Sequence, residues 1–183
     1  MSHYADFRAP PGQFFIGVRF HPGMSLPFLR APGHELADKS IPLEDLWGRA
    51  ARGLREKVAN SSTASDAIAA FERYLQQPEP NAREAAMWAW LRQRGGEARL
   101  DELARLSGLG TRQLRRRCLL ETGLTPKRMC RVLRFRRAFS LGRSGMDWSV
   151  VAAECGYYDQ AHLIRDFREL GGRTPGMSVF SNL

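Results

Sequence analysis

The stretch that decides the fold is AAECGYYDQAHLIRDFRELGGRTP, residues 152–175. A short apolar segment ends at Gly156, and Asp159, a residue favoured at helix N-caps, starts a second segment. That second segment stops at two glycines, which is typical of a helix C-terminus. Its apolar residues recur at steps of three or four, on one helix face: Leu163, Phe167 and Leu170. The pattern predicts a short helix, a glycine turn and a second helix, which is the helix-turn-helix arrangement.

The same order of residues occurs earlier in the chain. Ala104-x3-Gly108 is repeated as Ala152-x3-Gly156 at an offset of 48, and GLTP at 123–126 is repeated as GRTP at 172–175 at an offset of 49. The expected core residues of the two copies also pair at the offset of 49: Leu114 with Leu163, and Cys118 with Phe167. The second half of the chain therefore contains an internal duplication.

The duplication indicates the domain organisation of the chain. We predict a first helix-turn-helix at 99–122, a linker helix at 126–141 and a second helix-turn-helix at 147–170, all within a domain at 80–183. Proline residues 78 and 80 mark the boundary with an N-terminal region at 1–79. The predicted fold class is mainly α, a tandem, homeodomain-like helix-turn-helix domain preceded by a small helical domain with one strand.

The N-terminal region has two kinds of pattern. QFFIGVRF at 13–20 is rich in aromatic and β-branched residues, which predicts a strand that needs a partner. Apolar residues at helical spacing then predict amphipathic helices at 43–58 and 61–76. We expect Trp47 and Trp88, with Trp90, to belong to cores rather than to a surface on which bases stack.

The charge of the chain is concentrated in its second half. The 183 residues carry a net charge of +9, yet residues 1–80 hold nine basic and nine acidic side chains, and residues 81–183 hold 19 and 10. Residues 109–137 contain ten basic side chains against Glu121 alone. This distribution favours a polyanion, above all nucleic acid, as the partner. A solubilising surface is the alternative.

Two predicted helix faces carry the candidate base contacts. Arg112, Arg115 and Arg116 share one face of the first copy, and arginine suits either guanine or a phosphate. The outward residues of the second copy are Gln160, Ala161, His162 and Arg165. Glutamine suits adenine and alanine suits the thymine methyl, while two interpretations stay open for His162: a base contact or a solvated helix residue.

Residues 97–178 resemble the DNA-binding domain of AraC/XylS-type transcriptional regulators. The segments that carry the resemblance are LxxLAxxSGL (100–109), TRQLxRR (111–117), GLTPKRM (123–129), RFRRA (134–138) and the stretch quoted first. The resemblance implies sequence-specific binding of double-stranded DNA by two recognition helices in successive major grooves. Implied phosphate contacts are Thr111, Arg117, Lys127 and Tyr158. Two departures concern the first copy: Gly110 stands where the family often has serine, and Cys118 where it usually has an aromatic residue.

Residues 14–76 are similar to a segment that lies between sensor and DNA-binding domains in some of these regulators, through GVRFHPG (17–23) and IPLEDLWGRAA (41–51). Most of the cupin-like sensor is absent, so the chain is expected to be a short regulator or a fragment. Three scattered cysteines favour a reducing cytoplasm, and the helical region at 1–79 is expected to form a homodimer. For such a regulator we also expect a bacterial, nucleoid-associated location and RNA polymerase as a possible partner. The alternative is an oligomerisation or ligand-sensing module with weak, largely non-specific DNA binding.

Other functions are not indicated by the residues. No nucleophile–base pair or phosphate loop is visible, so we expect no enzyme and no cofactor. Cys118, Cys130 and Cys155 are expected to be core residues, and the histidines lack metal-ligand spacing. No apolar run of about 18 residues predicts a membrane span, and the N-terminus lacks an apolar signal segment. Some arginines at 131, 134, 136 and 137 are expected to pair with Asp101, Glu102 or Glu121.

Overall fold

The computed structural model describes residues 16–75 and 82–177, and the regular structure in these two ranges is entirely helical. The N-terminal range contains α1 (Leu26–Leu29), α2 (Gly33–Leu36), α3 (Leu43–Trp47), α4 (Arg49–Ala59) and α5 (Ala64–Tyr74). The second range contains α6 (Ala82–Gln93), α7 (Leu100–Ser107), α8 (Thr111–Thr122), α9 (Pro126–Arg143), α10 (Trp148–Glu154) and α11 (Gln160–Gly171), followed by a 3₁₀ turn at Pro175–Met177. The mainly α fold class is confirmed.

Caps and glycines set the helix ends in the second range. Gly108, Gly123 and Gly172 all adopt left-handed backbone at helix C-termini, with φ between 69° and 72°. At the N-termini, Thr125 Oγ1 accepts from the backbone N–H of Arg128, and Asp159 Oδ1 accepts from that of His162. These are the residue types that satisfy unpaired backbone groups of a helix, which is why the predicted helices and the observed ones agree within two residues.

Two apolar cores lie on either side of α9. The first combines Met87, Trp88 and Leu91 of α6 with residues of α7, α8 and the N-terminal half of α9, among them the fully buried Leu114 and Cys118. The second combines the C-terminal half of α9 with α10 and α11, where Leu163 and Phe167 are fully buried. The four core residues expected from the duplication are therefore confirmed. Residues 82–177 thus form two three-helix units, α6–α7–α8 and α9–α10–α11, and the N-terminal half of α9 also packs on the first unit.

The strand predicted at 13–20 is not present in its described part. Residues 16–20 have no regular structure, and residues 13–15 lie outside the described ranges. A single strand needs a partner, and the described residues provide none. The aromatic character of the segment serves packing instead, because the ring of Phe20 stacks on that of Phe28 at 4.9 Å between centroids.

The helix predicted at 43–58 is two helices. Gly48 lies between α3 and α4 with φ of 56°, a conformation that glycine adopts without a Cβ clash. The chain therefore turns there and α3 packs against α4. The Trp47 indole donates to the Phe28 carbonyl oxygen at 2.7 Å, which joins α3 to α1.

The segment that contains α1 and α2 packs on the first three-helix unit. Gly33 lies so close to Gly123 that a Cβ built on Gly33 would be 2.5 Å from the Gly123 backbone nitrogen. Gly23 lies against the Trp88 ring in the same way, and Ser25 Oγ donates to the Glu121 carbonyl oxygen at 3.3 Å. The predicted linker at residues 78–80 lies outside the described residues. Within the described residues, the N-terminal region is joined to the first unit by these packing contacts.

Candidate nucleic-acid interface

The outer face of α8 presents three arginines to solvent. Arg112, Arg115 and Arg116 are exposed, whereas Leu114 and Cys118 on the opposite side are fully buried. Among the described residues, these three arginines form no ion pair. Their charge is therefore available to an external anion.

The N-terminus of α8 has only half of a capping box. The Gln113 side-chain oxygen accepts from the Gly110 backbone N–H at 3.1 Å, but Gly110 has no side chain that could cap α8 in return. Thr111 is the first helical residue and is exposed. Because Gly110 supplies no cap, the first backbone N–H groups of α8 stay available for water or an anion.

Arg117 differs from its three neighbours because it points into the first unit. Its Nη2 donates to Glu84 Oε2 at 2.7 Å, and its Nε donates to Glu121 Oε1 at 2.5 Å. The Trp88 indole donates to the other Glu121 oxygen at 2.7 Å. Burial raises the pKa of Glu121, although the bonds from Trp88 and Arg117 act in the opposite direction. Arg117, an expected phosphate contact, is thus already bound by two carboxylates.

The outer face of α11 is less charged than that of α8. Gln160, Ala161 and Arg165 are exposed, and His162 is half-buried with its ring edge-on to that of Tyr157 at 5.1 Å between centroids. Arg168, one turn after Arg165, is exposed as well. Arg168 is not among the contacts predicted from the sequence, although its i+3 spacing from Arg165 places it on the same helix face.

Three further expected phosphate contacts lie at helix N-termini. Thr111 begins α8, Lys127 lies in the first turn of α9, and Tyr158 precedes α11. All three are exposed, and Tyr158 is the extreme case at 94% of its full accessibility. An aromatic side chain with so little packing is free to place its hydroxyl against an external partner.

A second ion cluster joins α9 to α11. Arg131 Nε donates to Asp166 Oδ1 at 2.6 Å, and its two Nη groups donate to the two oxygens of Glu169. Arg128 Nη1 donates to Glu169 Oε1 at 2.5 Å. These bonds from Arg131 and Arg128 lower the pKa of Glu169 to about 2. Asp166 is 1% exposed, so its charge is compensated inside the protein.

The prediction that α9 arginines pair with Asp101, Glu102 or Glu121 is wrong for the arginines whose partners the structure shows. Arg131 pairs with Asp166 and Glu169, and Arg137 approaches Glu97 at 3.9 Å. Arg134 lies over the Tyr157 ring at 5.4 Å. The reason is the geometry of α9: these positions face α11 and the turns that contain Glu97 and Gly156, whereas Asp101 pairs with Arg99, the N-cap residue of α7.

Other kinds of site have little support in the described ranges. Residues 16–75 and 82–177 contain no group of three metal-ligating side chains. Burial raises the pKa of the Cys118 thiol to about 12, which agrees with a core role rather than a reactive one. None of the described helices is long and apolar enough to cross a membrane.

Comparison with known proteins agrees with this geometry. Residues 103–177 match the family model of a helix-turn-helix domain, which spans most of α7 through the 3₁₀ turn. No curated protein and no solved structure matches the chain. Residues 103–177 are thus similar to the AraC-type helix-turn-helix domains of DNA-binding transcription regulators.

Proposed function

We propose that the chain is a sequence-specific regulator that reads double-stranded DNA with α8 and α11 in successive major grooves. The observation that carries the proposal is the equivalence of two exposed helix faces. At the offset of 49, Arg112 corresponds to Ala161 and Arg116 to Arg165, and all four residues are exposed. Two copies of one helix-turn-helix in one chain suit two half-sites on one DNA molecule.

The helix α9 sets the distance between the two units. Its 18 residues make it about 27 Å long, and each unit uses one half of it for its core. Consecutive major-groove sites on one side of DNA are about 34–36 Å apart. A rigid connection of this length supports half-sites that are about one helical turn apart.

The two faces support unequal roles. Arg112, Arg115 and Arg116 of α8 favour strong neutralisation of phosphates with limited base discrimination. The α11 face combines an amide, a methyl group and Arg165, which can distinguish adenine, thymine and guanine. In this proposal Thr111, Lys127 and Tyr158 contact phosphates, Arg168 joins them, and Arg117 is left out because it is bound internally. His162 lies at the edge of the α11 face.

The proposal is tested by selecting bound DNA from a random pool with the full chain and sequencing the product. We expect two enriched half-sites about 10 base pairs apart. The variant R112A/R115A/R116A should lose most of its DNA affinity. The variant R49A/R52A removes two exposed arginines of α4 and is the matched control, expected to bind like the wild type. Binding without any enriched sequence would contradict sequence specificity.

A second candidate function is an oligomerisation or ligand-sensing module with weak, largely non-specific DNA binding. The observation that favours it is Ile68, which is 49% exposed on α5 although Ala67 and Ala70 on the inner side are buried. Light scattering on the full chain decides whether a homodimer forms, since the monomer mass is 20.7 kDa. A monomer at every concentration would exclude the proposed homodimer.

The cellular location and the contact with RNA polymerase belong to the same proposal. A regulator of this type acts on DNA in the bacterial nucleoid and affects transcription by blocking or recruiting RNA polymerase. Both the location and the polymerase contact are proposed from the resemblance to AraC/XylS-type regulators. Chromatin capture of the tagged chain in a bacterial host, with and without R112A/R115A/R116A, tests them together.

A further inference from the structure

Each three-helix unit contains an ion pair between its first helix and its last helix, and the two pairs have opposite polarity. In the first unit the acid is Glu84 on α6 and the base is Arg117 on α8. In the second unit the base is Arg131 on α9 and the acid is Asp166 on α11. Arg117 and Asp166 occupy equivalent positions, because they are separated by the offset of 49 that relates α8 to α11. We call these pairs the first tie and the second tie.

Both ties are supported by a second acid. Glu121 strengthens the first tie, because it binds Arg117 and the Trp88 indole and is itself only 3% exposed. Glu169 strengthens the second tie, because it accepts from both Nη groups of Arg131 and from Arg128. Charge-assisted arginine–carboxylate bonds are strong and directional, and those of Arg131 to Glu169 are also bidentate. Each tie therefore fixes one helix against another in distance and rotation.

The position of the ties connects them to the outer faces. Arg117 directly follows Arg116, and Asp166 directly follows Arg165, so each tie lies about 100° around the helix from a proposed base contact. A rotation of α11 that broke the second tie would also move Arg165. The tie thus restricts the direction from which Arg165 meets DNA.

The second tie also keeps Arg165 unpaired. Glu169 lies four residues after Arg165, a spacing at which two opposite charges on a helix attract each other. Both oxygens of Glu169 are instead bound by Arg128 and Arg131 of α9. Arg165 is exposed and forms no ion pair within the described residues.

We propose that the first and second ties are positioning elements that set the base preference of α8 and α11, respectively. This inference rests on the proposed function, because it concerns the same two helices. Both ties are partly buried, since their arginine side chains are 40% and 27% exposed and their acids 19% and 1%. An ion pair that is withdrawn from water often adds little net stability compared with an apolar pair of similar size. A role in orienting α8 and α11 accounts for the charged residues in the two ties. Because each tie belongs to one unit, its removal is expected to affect only the half-site that this unit reads.

The test compares two double variants of the full chain in the selection from random DNA. The variant R117M/E121Q removes the first tie and leaves an oxygen acceptor for Trp88. The variant R131M/D166N removes the second tie. Both keep the volume of the side chains and leave the proposed base and phosphate contacts in place. Circular dichroism and thermal unfolding establish that each variant is folded.

We expect each double variant to lose base preference at one half-site only. R131M/D166N should lower the preference at the α11 half-site about tenfold, and R117M/E121Q should do so at the α8 half-site, about the value of one good base contact. Folded variants with wild-type preferences would overturn the inference, as would equal losses at both half-sites. If the wild type enriches no sequence, the proposed function itself fails.

A milder variant covers the case in which R131M/D166N does not fold. E169Q keeps the partly buried Arg131–Asp166 pair and removes only the half-exposed carboxylate that supports it. We expect a loss of about threefold at the α11 half-site and none at the α8 half-site, since E169Q weakens the support of the second tie and leaves the tie itself in place. An unchanged preference of E169Q at the α11 half-site would also overturn the inference.

Discussion

Arg165 is the residue at which base reading is tested most directly. It is exposed, it stands one helical turn after Ala161, and no described carboxylate binds it. We predict that Arg165→Ala weakens binding to the selected DNA by about 1–3 kcal/mol and relaxes the preference at one base pair. Titration of labelled cognate and random duplexes measures both effects. Equal losses on the two duplexes would identify Arg165 as a phosphate contact instead.

Arg168 provides the comparison on the same helix. It is exposed in the last turn of α11, and we expect it to contact a phosphate rather than a base. Arg168→Ala should therefore weaken binding to cognate and random duplexes by similar factors. A change in base preference for Arg168→Ala would mean that the roles of the two arginines are reversed.

Glu169 makes the stability of the second unit depend on pH. Its folded pKa, about 2, is below the ordinary value of 4.5, so its bonds to Arg131 and Arg128 contribute stability that is fully present above about pH 4.5. The contribution is lost as the pH falls through about 2. We predict that wild type and Glu169→Gln differ in thermal midpoint at pH 6 and converge as the pH approaches 2. A constant difference over this range would contradict the prediction.

For single residues, the sequence predicts which helix face is buried better than it predicts which side chains form ion pairs. The burial of Leu114 and Leu163 follows from helical periodicity, because neighbours three and four positions apart lie on one side. The partners of Arg117 do not follow, since Glu84 lies 33 residues away and the meeting of the two depends on how α6 packs on α8. An alignment of the two copies that also matched α6 with α9 was needed to predict this ion pair.

The contact between α2 and the end of α8 depends on two glycines. A Cβ on Gly33 would lie 2.5 Å from the Gly123 backbone nitrogen, and backbone atoms cannot move aside as a flexible side chain can. We predict that Gly33→Ala lowers the free energy of unfolding by about 1–3 kcal/mol, the usual cost of overpacking. Urea unfolding followed by circular dichroism measures the change.

Gly17→Ala is the matched control for that substitution. An added Cβ at Gly17 meets no atom within 4 Å, so the unfolding midpoint should stay close to that of the wild type. If Gly33→Ala were as stable as Gly17→Ala, the close packing of α2 on the first unit would be contradicted.

At the element scale, the helices with chemical end signals were predictable and the others were not. Thr125 with Pro126, and Gly123 before them, define one helix start and one helix end from residue type alone. The division at Gly48 and the missing strand at 16–20 depend on tertiary contacts of α1 and α3. Local propensity cannot contain that information, because those contacts join residues far apart in the sequence.

For the whole molecule, the salt dependence of DNA binding reports how many cations meet phosphates. The logarithm of the affinity falls linearly with the logarithm of the salt concentration, with a slope set by the neutralised phosphates. We predict that each of Arg112→Ala and Arg115→Ala reduces the magnitude of this slope by about 1. Filter binding at a series of potassium chloride concentrations measures it.

Arg117→Met is the contrast for the salt series. Arg117 is bound by Glu84 and Glu121, so its loss should leave the slope close to that of the wild type. A decrease as large as that of Arg112→Ala would show that Arg117 leaves its internal partners and reaches a phosphate.

The net charge of +9 favours a polyanionic partner, but it does not show which basic residues contact that partner. Of the ten basic residues at 109–137, the exposed ones of α8 are available, while Arg117, Arg128 and Arg131 are held by carboxylates. Composition cannot separate these two groups, because both raise the net charge equally. The contact of α1 and α2 with α8 was also beyond the sequence, since proline-rich residues 78–80 indicated separation.

The opposite polarity of the two ties has a consequence for folding. A duplicated unit can mispair during folding, because α6 and α9 each supply apolar side chains to the core beneath α8 or α11. Exchange of the first helices would place Arg131 beside Arg117 and Glu84 beside Asp166, two repulsive pairs in a poorly solvated setting. The reversal therefore penalises helix exchange between the copies, within one chain or between two, and selects the correct pairing.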